Sequence, residues 1–143
     1  MHGSTGQLLY QGAVLAASQN IVVVSVAVRL GVLGNFYWPS KAPGNQALLD
    51  LRLALDWYRN NSVRAFGARA DGVTLAGHSA GAVLTSLFAS QRDNRDLFSQ
   101  IALFSGGHLF SRWGTMTHQT ALAKSEMVSG QHKIDVQIKY EVY

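Results

Sequence analysis

Five residues near the middle of the chain have the types and spacing best suited to covalent chemistry: Gly77-His78-Ser79-Ala80-Gly81. Val73-Thr74-Leu75-Ala76 before them reads as a short strand. Val83, Leu84, Leu87 and Phe88 after them fall at helical spacing. A serine at such a strand-to-helix turn is forced into a strained backbone conformation that lifts its hydroxyl clear of the sheet. Gly77 and Gly81 suit a turn where strand and helix pass so closely that a Cβ would clash. The helix N-terminus behind the serine points unpaired N–H groups and the positive end of its dipole at the reacting oxygen. The chemistry expected is acyl transfer, with Ser79 as nucleophile and the Ala80 N–H as an oxyanion donor. A small-residue turn that only packs a helix onto a strand would show the same five letters, so the surrounding elements must decide.

A serine hydroxyl needs a base. His78 lies inside the motif, but adjacent elbow residues face opposite ways, so it reads as structural. His108, His118 and His132 follow Ser79, as do Asp93, Asp96, Glu126, Asp135 and Glu141. Of these, only His108 follows the strand next to Ser79's own, at the same edge of the sheet. The chain has no cysteine, which removes thiolate chemistry, disulfides and Cys-type zinc sites. The expected chemistry requires no metal and no organic cofactor; water is the second substrate.

The elements that must position Ser79 alternate. Residues 21–28, Ile-Val-Val-Val-Ser-Val-Ala-Val, are apolar at nearly every position and read as a strand buried on both faces. Residues 31–45 hold both prolines, Pro39 and Pro43, and read as a long loop. Asn45 is a candidate N-cap. Ala47, Leu48, Leu51, Ala54, Leu55 and Tyr58 then recur with helical period, and Asn60-Asn61 marks the expected end. Residues 100–104 read as another strand, stopped by Gly106-Gly107, and a helix is expected over about 117–127. Residues 133–143 alternate apolar with polar, as in a strand with one wet face. The order implies an α/β fold with a mostly parallel sheet and flanking helices.

The chain's 143 residues are one domain's worth, and 48% hydrophobic against 14% charged residues excludes a disordered chain. The net charge of +4 comes from scattered residues such as Arg29, Arg52, Arg69 and Arg92, with no aromatic-interleaved basic face, so no nucleic-acid partner is expected. The longest apolar run is far short of the roughly 18–20 residues of a membrane helix, so no span is expected. No signal peptide is visible at the N-terminus. Compartment and oligomeric state stay open. Asn60-Asn61-Ser62 fits a glycosylation triplet.

Taken in order and spacing, four stretches resemble the type-B carboxylesterase/cholinesterase family of α/β-hydrolases. They are residues 22–34, Gly44-Asn45 with Leu48-Leu49-Asp50, residues 73–82, and Phe104-Ser105-Gly106-Gly107. The resemblance covers residues 2–113, and 128–143 reads as tail sequence that need not be homologous. It implies carboxylic ester hydrolysis through an acyl-Ser79 intermediate, with a small-molecule ester as substrate. It places Ala80, Gly3 and Ser4 as oxyanion donors, although His2-Gly3-Ser4-Thr5-Gly6 is shorter than the family's loop and lacks its second glycine. Val28 stands where the family usually carries an aromatic. The triad's acid and histidine are expected beyond residue 143, so the chain alone is expected to be inactive. The strand between 21–28 and 73–76 is expected before residue 1, so the sheet is expected to be partial, lacking N- and C-terminal strands. The resemblance implies that members are often secreted or in the endoplasmic reticulum. Two alternatives remain: a non-catalytic cholinesterase-like adhesion or binding protein, and a lipase or acyltransferase of the same fold, of which residues 29–31 and Asn45 would not be expected.

Overall fold

The computed structural model describes residues 3–107, 109 and 115–132. Two short helices come first, α1 (Ala13–Gln19) and α2 (Gly31–Asn35). A small antiparallel hairpin, β1 (Tyr37–Trp38) and β2 (Ala42–Pro43), follows. The helix predicted after Asn45 is α3 (Gln46–Phe66). Then come β3 (Thr74–His78), α4 (Ala80–Ser90), β4 (Gln100–Phe104) and α5 (His118–His132).

The sheet that carries the site is the parallel pair β3–β4, in register from Thr74 opposite Gln100 to His78 opposite Phe104. A parallel pair needs a crossover, and α4 supplies it. Leu51 and Leu55 of α3, Leu75 of β3, Phe88 of α4 and Leu97 form the buried core, with Val26, Val28, Leu48, Val73 and Leu84 packed around it. Helix α3 thus holds β3 and α4 together through the face that the 3.6-residue period marks.

Three expectations need correction. The segment 21–28 is not a strand buried on both faces: it carries no ladder, and Ile21, Val22, Val23 and Val24 are 38–49% exposed. A strand exists only against a neighbour, and none of the described residues pairs with this one. Half-burial at Val26, Val28 and Leu30, alternating with exposure, shows an extended chain lying on the core by one side. The stretch 31–45 is not simply a loop, since α2 and the β1–β2 hairpin fall within it. Asn60-Asn61 does not end α3. Asparagine costs a helix interior only about 0.7 kcal/mol, and Asn61 donates to the Trp57 carbonyl (2.7 Å) within the helix. The stop comes at Gly67, whose φ of +62° lets its N–H reach the carbonyls of Ser62 and Val63. The Asn60-Asn61-Ser62 triplet therefore sits inside a helix, with Ser62 fully buried.

Asn45 occupies the cap position as expected but not by the expected contact. It adopts a left-handed conformation, its side chain makes no cap bond, and its carbonyl accepts the Leu48 and Leu49 N–H groups (2.9 and 3.2 Å). The helix predicted at 117–127 runs on to His132 as α5 and docks on the hairpin. The Tyr37 N–H donates to Ser125 Oγ (3.0 Å), and His118 stacks on the Tyr37 ring at 5.2 Å. The strand predicted over 133–143 lies outside the described residues. Among the described residues no helix is long and apolar enough to cross a membrane.

What ties the unpaired segment to the body is a fork. Asp50 on α3 accepts from the Arg29 backbone N–H (2.8 Å), from Nε (2.9 and 3.0 Å) and from Nη2 (2.7 Å). Bidentate geometry of this kind is the strong form of the pair. The Arg29 side-chain bonds hold the Asp50 carboxyl below the usual carboxylate range, against the opposing effect of burial. A lowered native pKa stabilises the fold above the unfolded value of about 3.9 and ceases to do so as pH falls through the native value. Asp50→Asn should therefore lower the urea midpoint at pH 7, and the gap from wild type should close below about pH 4. A gap of the same size at both pH values would contradict this.

Candidate active site at the β3–α4 turn

Ser79 stands between the last residue of β3 and the first of α4, with φ +54° and ψ −118°. Few non-glycine residues adopt a positive φ with so negative a ψ, and the cost is of order 1–3 kcal/mol. The surroundings fix it from two sides. Its N–H donates to the Phe104 carbonyl on β4 (2.9 Å), and its carbonyl accepts the Val83 N–H on α4 (3.2 Å). The sheet ladder and the helix both claim the same residue, so neither lets it relax. Ser79 itself is exposed. Val83 is the first residue of α4 to enter this ladder, so the N–H groups of Ala80, Gly81 and Ala82 precede it at the positive end of the helix dipole.

The two glycines of the motif are not equivalent, which corrects the expectation that both avoid a clash. A Cβ on Gly77 would lie 2.4 Å from the Gly81 carbonyl oxygen, a backbone collision. A Cβ on Gly81 meets nothing within 4 Å. The second crowded position is Gly106, where a Cβ would lie 2.5 Å from the Ser79 carbonyl oxygen. In the sequence Gly106 stands out as a strand stop and as part of the Phe104-Ser105-Gly106-Gly107 stretch, with no sign that its backbone is crowded. Ser105 before it also has a positive φ, +53°, so β4 ends in its own sharp turn against the Ser79 turn.

The structure thus gathers Gly77, Ser79, Ala80 and Gly81 with Gly106 at one end of the β3–β4 pair. Gly3 and Ser4, the other expected oxyanion donors, belong to the N-terminal segment. Both are exposed on a turn in which Ser4 Oγ accepts the Gly6 N–H (3.1 Å). Among the described residues no hydrogen bond links that turn to Ser79 or Ala80. No histidine or carboxylate among the described residues bonds the Ser79 hydroxyl. His78 is exposed, His118 is engaged with Tyr37, and His108 lies outside the described residues. An open apolar groove of about 310 Å³ along α4 and β4, bounded by Ser86, Ile101, Leu103 and Gly106, lies beside the turn. No group of His, Asp and Glu among the described residues could hold a metal ion.

A parallel strand pair with its crossover helix, backed by α3, is consistent with part of an α/β-hydrolase body. Comparison with known proteins agrees. Residues 1–137 match the family described as "Carboxylesterase family", and the chain belongs to that family. Acetylcholinesterase of Bungarus fasciatus is 35% identical over 131 residues, which is 90% of this chain and 21% of that protein. Cholinesterase 1 of Branchiostoma lanceolatum is 36% identical over 128 residues, 89% of this chain and 35% of that one. A thermophilic PNB esterase superposes with a TM-score of 0.82 at 32% identity, over 94% of this chain and 27% of its own. The chain therefore spans a fifth to a third of the relatives it matches.

Two consequences can be measured. Gly77→Ala and Gly106→Ala should each cost about 1–3 kcal/mol of stability, as overpacking does. Gly81→Ala should be neutral or stabilising by up to about 1 kcal/mol, because alanine favours a helix and finds open space. Denaturant midpoints with Gly81→Ala as damaging as Gly77→Ala would contradict the geometry. Ser79→Gly should also leave the chain about 1 kcal/mol more stable than Ser79→Ala, since only glycine is at ease at that φ. Equal midpoints for the two would mean that the turn is unstrained.

Proposed function

We propose that this chain supplies the nucleophile half of a carboxylic ester hydrolase that works through an acyl-Ser79 intermediate. The observation that carries the reading is the strained, exposed conformation of Ser79 at the head of α4. Ser79 Oγ would attack the ester carbonyl carbon and pass its proton to a base. The tetrahedral oxyanion would take the Ala80 N–H, and the alcohol would leave with that proton. Water would then add to the acyl carbon and return Ser79. Gly77 and Gly106 let the turn close, and Gly3 and Ser4 are the proposed further oxyanion donors. Family membership supports ester hydrolysis as the class of reaction. A juvenile hormone esterase from Manduca sexta, 30% identical with a TM-score of 0.67 over 77% of this chain, carries a covalently attached ligand, in keeping with a covalent route.

The described residues bring no general base to Ser79, so the 143-residue chain by itself should hydrolyse esters negligibly. A binding protein of cholinesterase type would need neither the base nor the strained serine, and the retained strain favours the enzyme. The test is a chimera in which residues 3–107 replace the matching segment of the PNB esterase, assayed on p-nitrophenyl acetate. The chimera should be active, and Ser79→Ala should lower kcat on the order of 10⁴–10⁶-fold. Activity surviving Ser79→Ala would refute the nucleophile assignment. Rapid fluorophosphonate labelling of the isolated chain, lost in Ser79→Ala, would refute its predicted inactivity.

A further inference from the structure

We infer that Asn60 is the acceptor of an N-linked glycan, added while the chain is still extended and closed to the transferase once α3 has formed. The triplet Asn60-Asn61-Ser62 is what such a transferase reads: the amide nitrogen of its first residue and the hydroxyl of its third. In the folded chain the three residues lie inside α3, and each is a poorer helix former than alanine. Residue choice and local structure disagree over three consecutive positions. Such disagreement is expected where function rather than folding has set the residues.

The fold uses the side chain of the middle residue and leaves the outer two idle. Asn61 Nδ2 donates to the Trp57 carbonyl (2.7 Å). Asn60 is exposed, and no described residue bonds its amide. By the helical period Ser62 falls about 20° round from Leu51, on the stripe that packs the core, and Asn60 falls about 180° from it. Ser62 is accordingly at 0% exposure, and its Oγ has no hydrogen-bond partner among the described residues. A buried hydroxyl without a partner gives up its hydration and gains nothing in return. Alanine at this position would avoid that loss and favour the helix. The hydrogen bonds that Ser62 makes beyond the helix run from its backbone carbonyl to the Gly67 and Ala68 N–H groups, which any residue would accept. The two groups that folding leaves without a role are the two that the transferase requires.

Burial sets the order of events. Within α3 the Ser62 hydroxyl cannot touch an enzyme, so transfer belongs to the extended chain. There the Asn60 amide nitrogen attacks the first sugar of a lipid-pyrophosphate-linked oligosaccharide. The N–C bond forms, the C–O bond to the pyrophosphate breaks, and one amide proton passes to a base of the transferase. When α3 then forms, Ser62 is enclosed and Asn60 stays on the solvent side, one turn from the exposed Arg64. The glycan grows away from the face that carries Leu51 and Leu55, and no described hydrogen bond has to break to admit it. None of this involves Ser79.

The test supplies the 143-residue chain, either folded or diluted directly from urea, to an oligosaccharyltransferase with a lipid-pyrophosphate chitobiose donor. Intact mass is read before and after treatment with peptide N-glycosidase. The chain taken from urea should gain one glycan, at Asn60. Asn60→Gln and Ser62→Ala should gain none, and Ser62→Thr, which keeps the hydroxyl, should be modified. The folded chain reacts only through its unfolded fraction, so its rate should be at least about tenfold lower. Ser62→Ala should unfold at a urea concentration equal to or above that of wild type. No transfer to the chain taken from urea overturns the proposal, as does a glycan that survives Ser62→Ala. Equal rates for the folded and urea-treated chains would contradict the closure by α3. A Ser62→Ala midpoint below wild type is equally contrary, because the fold would then need the hydroxyl.

Discussion

The site depends on one contested residue. Ser79 is claimed by the sheet, through its N–H on the Phe104 carbonyl, and by the helix, through its carbonyl on the Val83 N–H. Meeting both claims takes a φ of +54°, which a serine adopts only when its surroundings leave no alternative. The two glycines that matter are those that let backbone pass backbone at this point, Gly77 against the Gly81 carbonyl and Gly106 against that of Ser79. Ser79 is exposed at this tight turn, and the first amides of α4 lie next to it because the helix has only begun. Positioning and electrostatics follow from a single steric constraint.

The rest of the described fold supports that constraint from one side. Helix α3 buries Leu51 and Leu55 against Leu75 and Phe88, so the strand before Ser79 and the helix after it share one core. The Arg29–Asp50 fork holds the extended 21–28 segment on the same helix without a sheet ladder. Superposition on a thermophilic PNB esterase at a TM-score of 0.82 over 94% of the chain shows that this part of the fold keeps the geometry of a larger body. A partial sheet is therefore compatible with a formed turn: the turn is closed by β4 and α4, both within the described residues.

Much of this was legible in the residues. The strand at 100–104 and the helix after Ser79 emerged where apolar period and glycine punctuation coincide. The helix after Asn45 began where expected, since its apolar stripe is what buries Leu51 and Leu55. Other features were hidden for physical reasons. An apolar run such as 21–28 announces burial, but whether it becomes a strand depends on a neighbour that its own residues do not encode. Asn60-Asn61 carries only a weak propensity, which the packing of α3 overrides, while Gly67 ends the helix through a positive φ that many glycines could adopt. Gly81 matched the motif yet meets open space, and Gly106, 27 positions after Ser79 in the sequence, proved to be the crowded one. Close approach between backbones is a tertiary fact.

The most direct measurement of the central claim is a crystal structure of this chain at a resolution that fixes the backbone torsions of residues 77–83. The account predicts Ser79 at a φ near +54° with its hydroxyl open to solvent and the Phe104 carbonyl on its N–H. A negative φ, with Ser79 absorbed into a regular first turn of α4 or its side chain buried beneath the sheet, would contradict it.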